Sequence, residues 1–486
     1  MKMPFWPSPS GYRDIELGLS RVFLLLERVG NPHLKLPPTI HLAGTNGKGS
    51  TLSFLRAIFA ESGLKIHTYI SPHLVNFNER ITLAGEEISD DFLNKILGEC
   101  KAAAEIEPQI KVTFFEGITV AAFLAFSRVK ADILLLETGM GGRLDATNVL
   151  PEVLCSIITP IAFDHQDFLG KTLAKIAFEK GGIIKKNCPT LIAKQKTSAL
   201  RALINQALLL SSKTEIFGKN FQIKKTKNGF LFSGFGKKIS LPLPSLIGDH
   251  QIENAAVAIA AALTQKKFII TENHIKSALQ KTTWPARLQK ITTGKFAKIL
   301  PNNFELYLDG SHNLQGAATV QKFLQKNKDK KIYVIFSMLK DKDAEGFLRK
   351  IAKNIDQLIT VKIANEPKSY KAAELQEISE KIGINAICAE NFEKALTIII
   401  NQKPLVILEH HHKSVILDAQ HRGSHESFGT NITRSSMRRI KDDGCVNKSD
   451  GFNDEKDDGC VECAKSLILV CGSLYLAGNF LEENFI

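Results

Sequence analysis

Cysteine and long apolar runs are both scarce in this chain of 486 residues. Its 8 cysteines are spread thinly, which excludes the dense disulfide framework of small secreted proteins and fits a reducing compartment. The opening residues hold Pro4, Pro7 and Pro9 and lack the apolar stretch that a secretory signal needs. The most apolar later stretch, 120–136, is interrupted by Arg128, Lys130 and Asp132, too soon to span a bilayer. A cytoplasmic protein without a membrane partner is the expectation. Nor is there a long basic arm: the net charge of +13 comes from dispersed Lys and Arg, which favours small anionic substrates over nucleic acid.

What the chain does have is core material. Hydrophobic residues make up 44% and charged residues 23%, as in a soluble globular protein, and the length exceeds what one core serves. Two domains are therefore expected. Residues 39–43 form a β-prone run, 52–60 read as a helix closed by Gly63, and 65–70 return as a strand. The continuous apolar runs 133–136 and 153–158 suit parallel strands buried on both faces. Helical patterns at 119–126 and 173–178 complete an α/β alternation. Residues 217–240 are polar and glycine-punctuated, a short hairpin or excursion. The pattern breaks at Trp284-Pro285-Ala286-Arg287, the candidate hinge. Beyond it, 306–308, 332–336, 357–361 and 467–470 recur as strands between helices, so the second domain also reads as α/β.

The strongest single signal follows the first strand: Gly44-Thr45-Asn46-Gly47-Lys48-Gly49-Ser50-Thr51, then a helix. Backbone N–H groups in a glycine loop and a helix N-terminus together cradle phosphate. Lys48 would neutralise the β and γ phosphates, and Ser50, less readily Thr51, would ligate magnesium. The spacing departs from the general phosphate-loop pattern: two residues separate Gly44 from Gly47, and Gly49 stands between Lys48 and Ser50. An ordinary glycine turn is the plain alternative, and the flanking strand and helix weigh against it. Glu137, at the C-terminal end of a buried strand, occupies the place where an open α/β sheet puts a ligand-binding group. A solvated strand end is the commoner meaning of such a residue; the glycines after it favour close approach of a ligand.

The segment 39–51 resembles the nucleotide loop of the Mur ligase superfamily in its folylpolyglutamate synthase and dihydrofolate synthase form. More blocks follow in that family's order: Ser71-Pro72-His73-Leu74, Phe77-Asn78-Glu79-Arg80-Ile81, the glycine-rich run from Glu137 to Asn148, Asp164-His165, Phe178-Glu179-Lys180, His250-Gln251 with Asn254, Trp284-Pro285-Ala286-Arg287, Asp309-Gly310-Ser311-His312-Asn313, Asp341-Lys342-Asp343 and Cys471-Gly472-Ser473-Leu474. The resemblance implies an α/β fold of two domains. A P-loop-type parallel-sheet ATPase domain would span 1–284, and a Rossmann-like α/β ligase domain 285–486. It implies two magnesium ions held through Ser50, Ser71, Glu137 and His165, with Lys180 carbamylated. Asn254 and Arg287 would contact ATP, and Asp309 and His312 would reach it from the second domain. Read alone, His165 is a structural histidine, Lys180 an exposed helix lysine, Ser71 a turn residue and Asn254 a possible helix cap. Gly181 stands where alanine is common in the family, and Ser311 and Leu314 replace its alanine and proline. Lys342 and Asp343 lie where the second domain would approach glutamate, though a charged loop is normally just solvated. Ala146 resembles enzymes that carry both activities.

The implied reaction is ATP-dependent addition of L-glutamate to dihydropteroate or to the γ-carboxylate of a reduced folate, by a monomer. A cell-wall Mur ligase, or a non-catalytic nucleotide- or nucleic-acid-binding protein, is the alternative. Residues 403–464 fit neither domain. They hold His410-His411-His412 and the repeated Lys-Asp-Asp-Gly-Cys at 441–445 and 456–460, and read as a disordered insertion. A zinc site from Cys445, Cys460, Cys463 and the histidine run is the lesser alternative, since only one close cysteine pair is present.

Overall fold

A computed structural model describes residues 4–7, 18–401 and 465–485. The expected insertion at 403–464, with its histidine run and cysteine pair, lies outside the described residues.

The first sheet has 8 strands. From edge to edge they are Glu86–Glu87, Ile81–Leu83, Ile66–Tyr69, Ile133–Glu137, Thr39–Ala43, Cys155–Ile158, Thr190–Ile192 and Thr214–Ile216. All neighbours from Ile66–Tyr69 onward run parallel, and the two edge strands before it are antiparallel. The apolar run at Ile133–Glu137 has a physical reason. Ile133 and Leu135 point into a core with the helices Lys48–Glu61, Asp249–Thr264 and Glu272–Lys281, while Leu134 and Leu136 point into another with Ser20–Arg28, Asp90–Glu105 and Phe114–Arg128. A strand covered on both faces has no polar side to alternate with.

The helix expected at 119–126 extends over Phe114–Arg128 because Thr113 accepts from Glu116 N and Glu116 reaches back to Thr113 N, a reciprocal cap. Residues 217–240 hold an antiparallel meander, Phe221–Thr226, Gly229–Gly234 and Lys237–Pro242. Phe230, Phe232 and Ile239 bury one face of it in the same core as the helix Asp249–Thr264.

The second large sheet has 6 strands in the order Gln289–Ile291, Phe304–Leu308, Ser466–Cys471, Lys331–Phe336, Gln357–Thr360 and Ala386–Cys388, parallel except for the first. Helices cover both faces, so both halves are α/β as expected. The two large sheets lie in one compact unit, joined through residues 282–288. Among the described residues no helix is long and apolar enough to cross a membrane.

Candidate active site

The central strand Thr39–Ala43 delivers the glycine loop to the N-terminus of the helix Lys48–Glu61. Close approach explains its glycines. A Cβ on Gly44 (φ 150°) would meet Thr159 Oγ1 at 1.9 Å, and one on Gly47 (φ 87°) would meet Asn254 Oδ1 at 2.6 Å. A Cβ on Gly49 would come within 2.6 Å of the Trp284 ring. Thr45 and Asn46 spend their N–H groups on Pro160 O, at 3.0 and 3.1 Å. The N–H groups of Lys48, Gly49 and Ser50 open the helix and have no intrahelical acceptor, which leaves them available to an anion. Ser50 and Thr51 are both buried in that first turn. Gln195, which no motif marked, braces the turn beneath: it accepts from Ile161 N at 3.0 Å and donates to Thr159 O at 3.0 Å.

Two lysines converge on one carbonyl. Lys48 Nζ donates to Gly44 O at 3.2 Å and Lys180 Nζ at 2.8 Å, while Lys48 also stands 3.7 Å from Glu137 Oε1. Lys180 is buried, not an exposed helix lysine; burial, then the Lys48 charge, brings its ammonium down to about 7. Burial pushes the Glu137 carboxyl up, against Lys48 and the Ser71 N–H that favour its charged form. Ser71 Oγ is buried without a hydrogen-bond partner, as are Thr51 Oγ1 and Thr138 Oγ1. No three His, Cys, Asp or Glu side chains converge as a metal cluster among the described residues. A carboxylate beside unengaged hydroxyls is nonetheless an oxygen donor set of the kind magnesium prefers, with room for phosphate oxygens and water.

The supporting loops are built from their own motifs. Glu79 accepts from the N–H groups of Leu74, Val75 and Asn76 at 2.7, 2.8 and 2.7 Å, which fixes the loop carrying Ser71. Arg80, buried between Phe77 and Phe114, donates from Nε to His73 Nδ1 at 2.8 Å. In the glycine-rich run, the buried Asp145 accepts from Met140 N and Thr147 N.

A second cluster centres on Asp164. Lys342 Nζ lies 2.8 Å from its Oδ1, and His165 Nε2 and His312 Nε2 each lie 3.7 Å from its Oδ2. Burial would raise the Asp164 carboxyl, but the neighbouring His312, His165 and Lys342 side chains hold it well below the usual range. His165 (φ 49°) is lowered to about 4, chiefly by burial, with Asp164 opposing. Lys342 thus binds Asp164 rather than standing solvated. The resemblance places Lys342 near glutamate, and the charged loop by itself carries no sign of the Asp164 contact.

The remaining residues divide. Asn254 is inside the helix Asp249–Thr264, whose N-cap is Gly248, so it caps nothing; its side chain packs against Gly47 and donates from Nδ2 to Gln251 Oε1 at 3.0 Å. Asp309 uses both oxygens on backbone, from Leu288 N and Ser311 N at 2.9 Å each. It so holds the linker in which Ala286 and Leu288 adopt φ of 55° and 48°. Arg287 Nη1 donates to Ala286 O at 3.1 Å, and its charge reaches Glu137. Asn46 and Asn313 form a reciprocal amide pair, and Asn46 also donates to Gln315 Oε1 at 2.7 Å.

Comparison with known proteins places the chain in a family. Residues 42–262 match the Mur ligase middle domain and 287–407 the Mur ligase glutamate ligase domain. The dihydrofolate synthase/folylpolyglutamate synthase of Bacillus subtilis is 34% identical over 381 residues, covering 75% of this chain and 85% of that protein. The dihydrofolate synthetase of Saccharomyces cerevisiae is 33% identical over 360 residues, covering 72% and 82%. Among solved structures, E. coli FolC in complex with DHPP and ADP superposes with a TM-score of 0.76 at 25% identity, covering 97% of this chain and 94% of that one. The chain belongs to the folylpolyglutamate synthase and dihydrofolate synthase family of Mur ligases.

Proposed function

We propose that this ATP-dependent ligase adds L-glutamate to dihydropteroate, to the γ-carboxylate of reduced folates, or to both, as a monomer in the cytoplasm. The reading takes 1–284 as the nucleotide domain and 285–486 as the ligase domain. The observation that carries it is the convergence of Lys48, Lys180, Glu137 and Ser71 on the mouth of the glycine loop.

A carboxylate is a poor electrophile, so an amide ligase must first activate it. A substrate carboxylate oxygen attacks the γ-phosphorus of ATP, the bond to the ADP oxygen breaks, and an acyl phosphate forms. The glutamate amine then attacks the acyl carbon, phosphate departs and the amine loses a proton. Lys48 and the N–H groups of Lys48, Gly49 and Ser50 hold the phosphates in line, where charge compensation and positioning supply most of the rate. Ser50, Ser71 and Glu137 would hold one magnesium ion; His165, with carbamylated Lys180, would stand by a second. When bound, magnesium supplies further compensation of phosphate charge. A lysine lowered to about 7 is partly neutral near pH 7, and the neutral amine is the form able to add carbon dioxide. Asn254 and Arg287 flank the nucleotide, Asp309 fixes the linker, and His312 with Lys342 shuts the site against water, which would hydrolyse the acyl phosphate.

The test is ADP release by the purified chain with glutamate plus dihydropteroate or tetrahydrofolate. Release with either acceptor that requires glutamate supports the reading. Release independent of glutamate, or none with either acceptor, overturns it.

A further inference from the structure

Lys180 sits in a turn held from several sides. A Cβ on Gly142 would meet Lys180 O at 2.7 Å and Glu179 O at 2.9 Å. Arg143 N donates to Glu179 O at 2.7 Å, and its guanidinium pairs with the Glu179 carboxylate at 3.0 Å. A Cβ on Gly182 would come within 2.3 Å of Arg143 Cα, and Asn148 Nδ2 donates to Gly182 O at 3.0 Å. All these partners belong to the glycine-rich run already described. One partner does not.

Gln206, on the helix Thr197–Leu209, donates from Nε2 to Phe178 O at 2.9 Å. Its Oε1 stands 1.9 Å from where a Cβ on Gly181 would be, with Leu203 Cδ2 at 3.1 Å on the same spot. That oxygen is buried and has no donor, a costly state for an acceptor. Turning the amide over would be worse, because it would set oxygen against the Phe178 carbonyl. The orientation is therefore fixed, and the space exists only because residue 181 has no side chain.

We propose that Gln206 is a positioning residue for Lys180, with Gly181 and Gln206 a size-matched pair that sets how deeply the last turn of the helix Leu173–Gly181 sinks towards the Gly44 carbonyl. A side chain at 181 has to push the amide away or lift the turn. Lifting it by about 1 Å takes the Nζ···O contact, 2.8 Å in this structure, out of hydrogen-bonding range. The inference rests on the nucleotide-ligase reading, since it acts through the loop that holds phosphate.

The experiment is a cycle of Gly181→Ala, Gln206→Ala and the double variant in the full chain. It reads the Kd for ADP with magnesium by calorimetry, kcat and KM for ATP, and the melting temperature. Gly181→Ala is expected to weaken ADP binding and lower kcat about tenfold, and Gln206→Ala about threefold. The double variant should be no worse than Gln206→Ala alone, a rescue that unrelated structural damage does not produce. Recovery of folding in the double variant, should Gly181→Ala fail to fold, counts the same way. Gly181→Ala indistinguishable from the parent, or a double variant showing the two losses multiplied, overturns the proposal. A parent that binds ADP but shows no glutamate-dependent turnover overturns the ligase reading instead, and the ADP cycle still decides this one.

Discussion

Two charged clusters flank Lys180, and they are built by different means. The Glu137 cluster comes from neighbouring strands of one sheet: Leu42 is in register with Glu137, and the loop carrying Lys48 begins just past Leu42. The Asp164 cluster depends on Lys342, 178 residues away and attached to the other large sheet. One cluster is complete once the first sheet has folded. The other exists only while the two sheets are docked. On the proposed ligase reading, nucleotide binding and completion of the catalytic site would thereby be separable.

The largest effect should come from the prebuilt cluster. Glu137→Gln removes the buried carboxylate and is expected to lower kcat by about 10²–10³-fold, the range for losing one electrostatic stabiliser of a transition state. Steady-state ADP release measures it, and a loss below tenfold would shift the weight of catalysis to the Asp164 cluster. Lys342→Met should cut kcat/KM for glutamate by about 10–100-fold with a much smaller change in the Kd for ADP, because it removes the Asp164 pair and leaves the Asn46 contacts to Asn313 and Gln315 in place. Equal losses in both quantities would erase the contrast.

The smallest effect is on stability, and its sign follows from Lys180. Its folded value of about 7 lies below the ordinary 10.5, so between those limits the unfolded chain binds the extra proton and stability rises with pH. Below about 7 the ammonium stays charged in the core and its full desolvation penalty applies. In bicarbonate-free buffer, Lys180→Met should therefore be inactive yet more stable than the parent by about 2 kcal/mol at pH 6.5, with the gain fading towards pH 10. Denaturant melts at the two pH values measure this. A gain that grows with pH would contradict the burial of a charged lysine.

Much of the first cluster was legible because it is local. A β-prone run ending in glycines, or an apolar run ending in Glu137, records in consecutive residues where a strand stops and a ligand begins. The second cluster was not legible in that way. Asp341-Lys342-Asp343 reads as any solvated loop, and only the docking of two sheets gives Lys342 a partner. Gln195 and Gln206 escaped for a similar reason: each acts through one amide on backbone atoms far away in the chain, which leaves no periodicity and no spacing. Asp309 was singled out as a group that reaches ATP; its oxygens also accept from Leu288 N and Ser311 N and so hold the linker, and a sequence motif does not report which N–H groups donate to a carboxylate. Helix ends were short in the sequence reading where a reciprocal cap, as at Thr113 and Glu116, adds a turn ahead of the apolar pattern.

The indole resting on Gly49 gives the chain a built-in optical gauge. Of the 2 tryptophans, Trp6 lies near the start and Trp284 touches the glycine loop at the base of the linker. Replacing Trp6 by phenylalanine leaves one tryptophan, so fluorescence excited selectively at the indole would report any change around the glycine loop or the linker without an added dye.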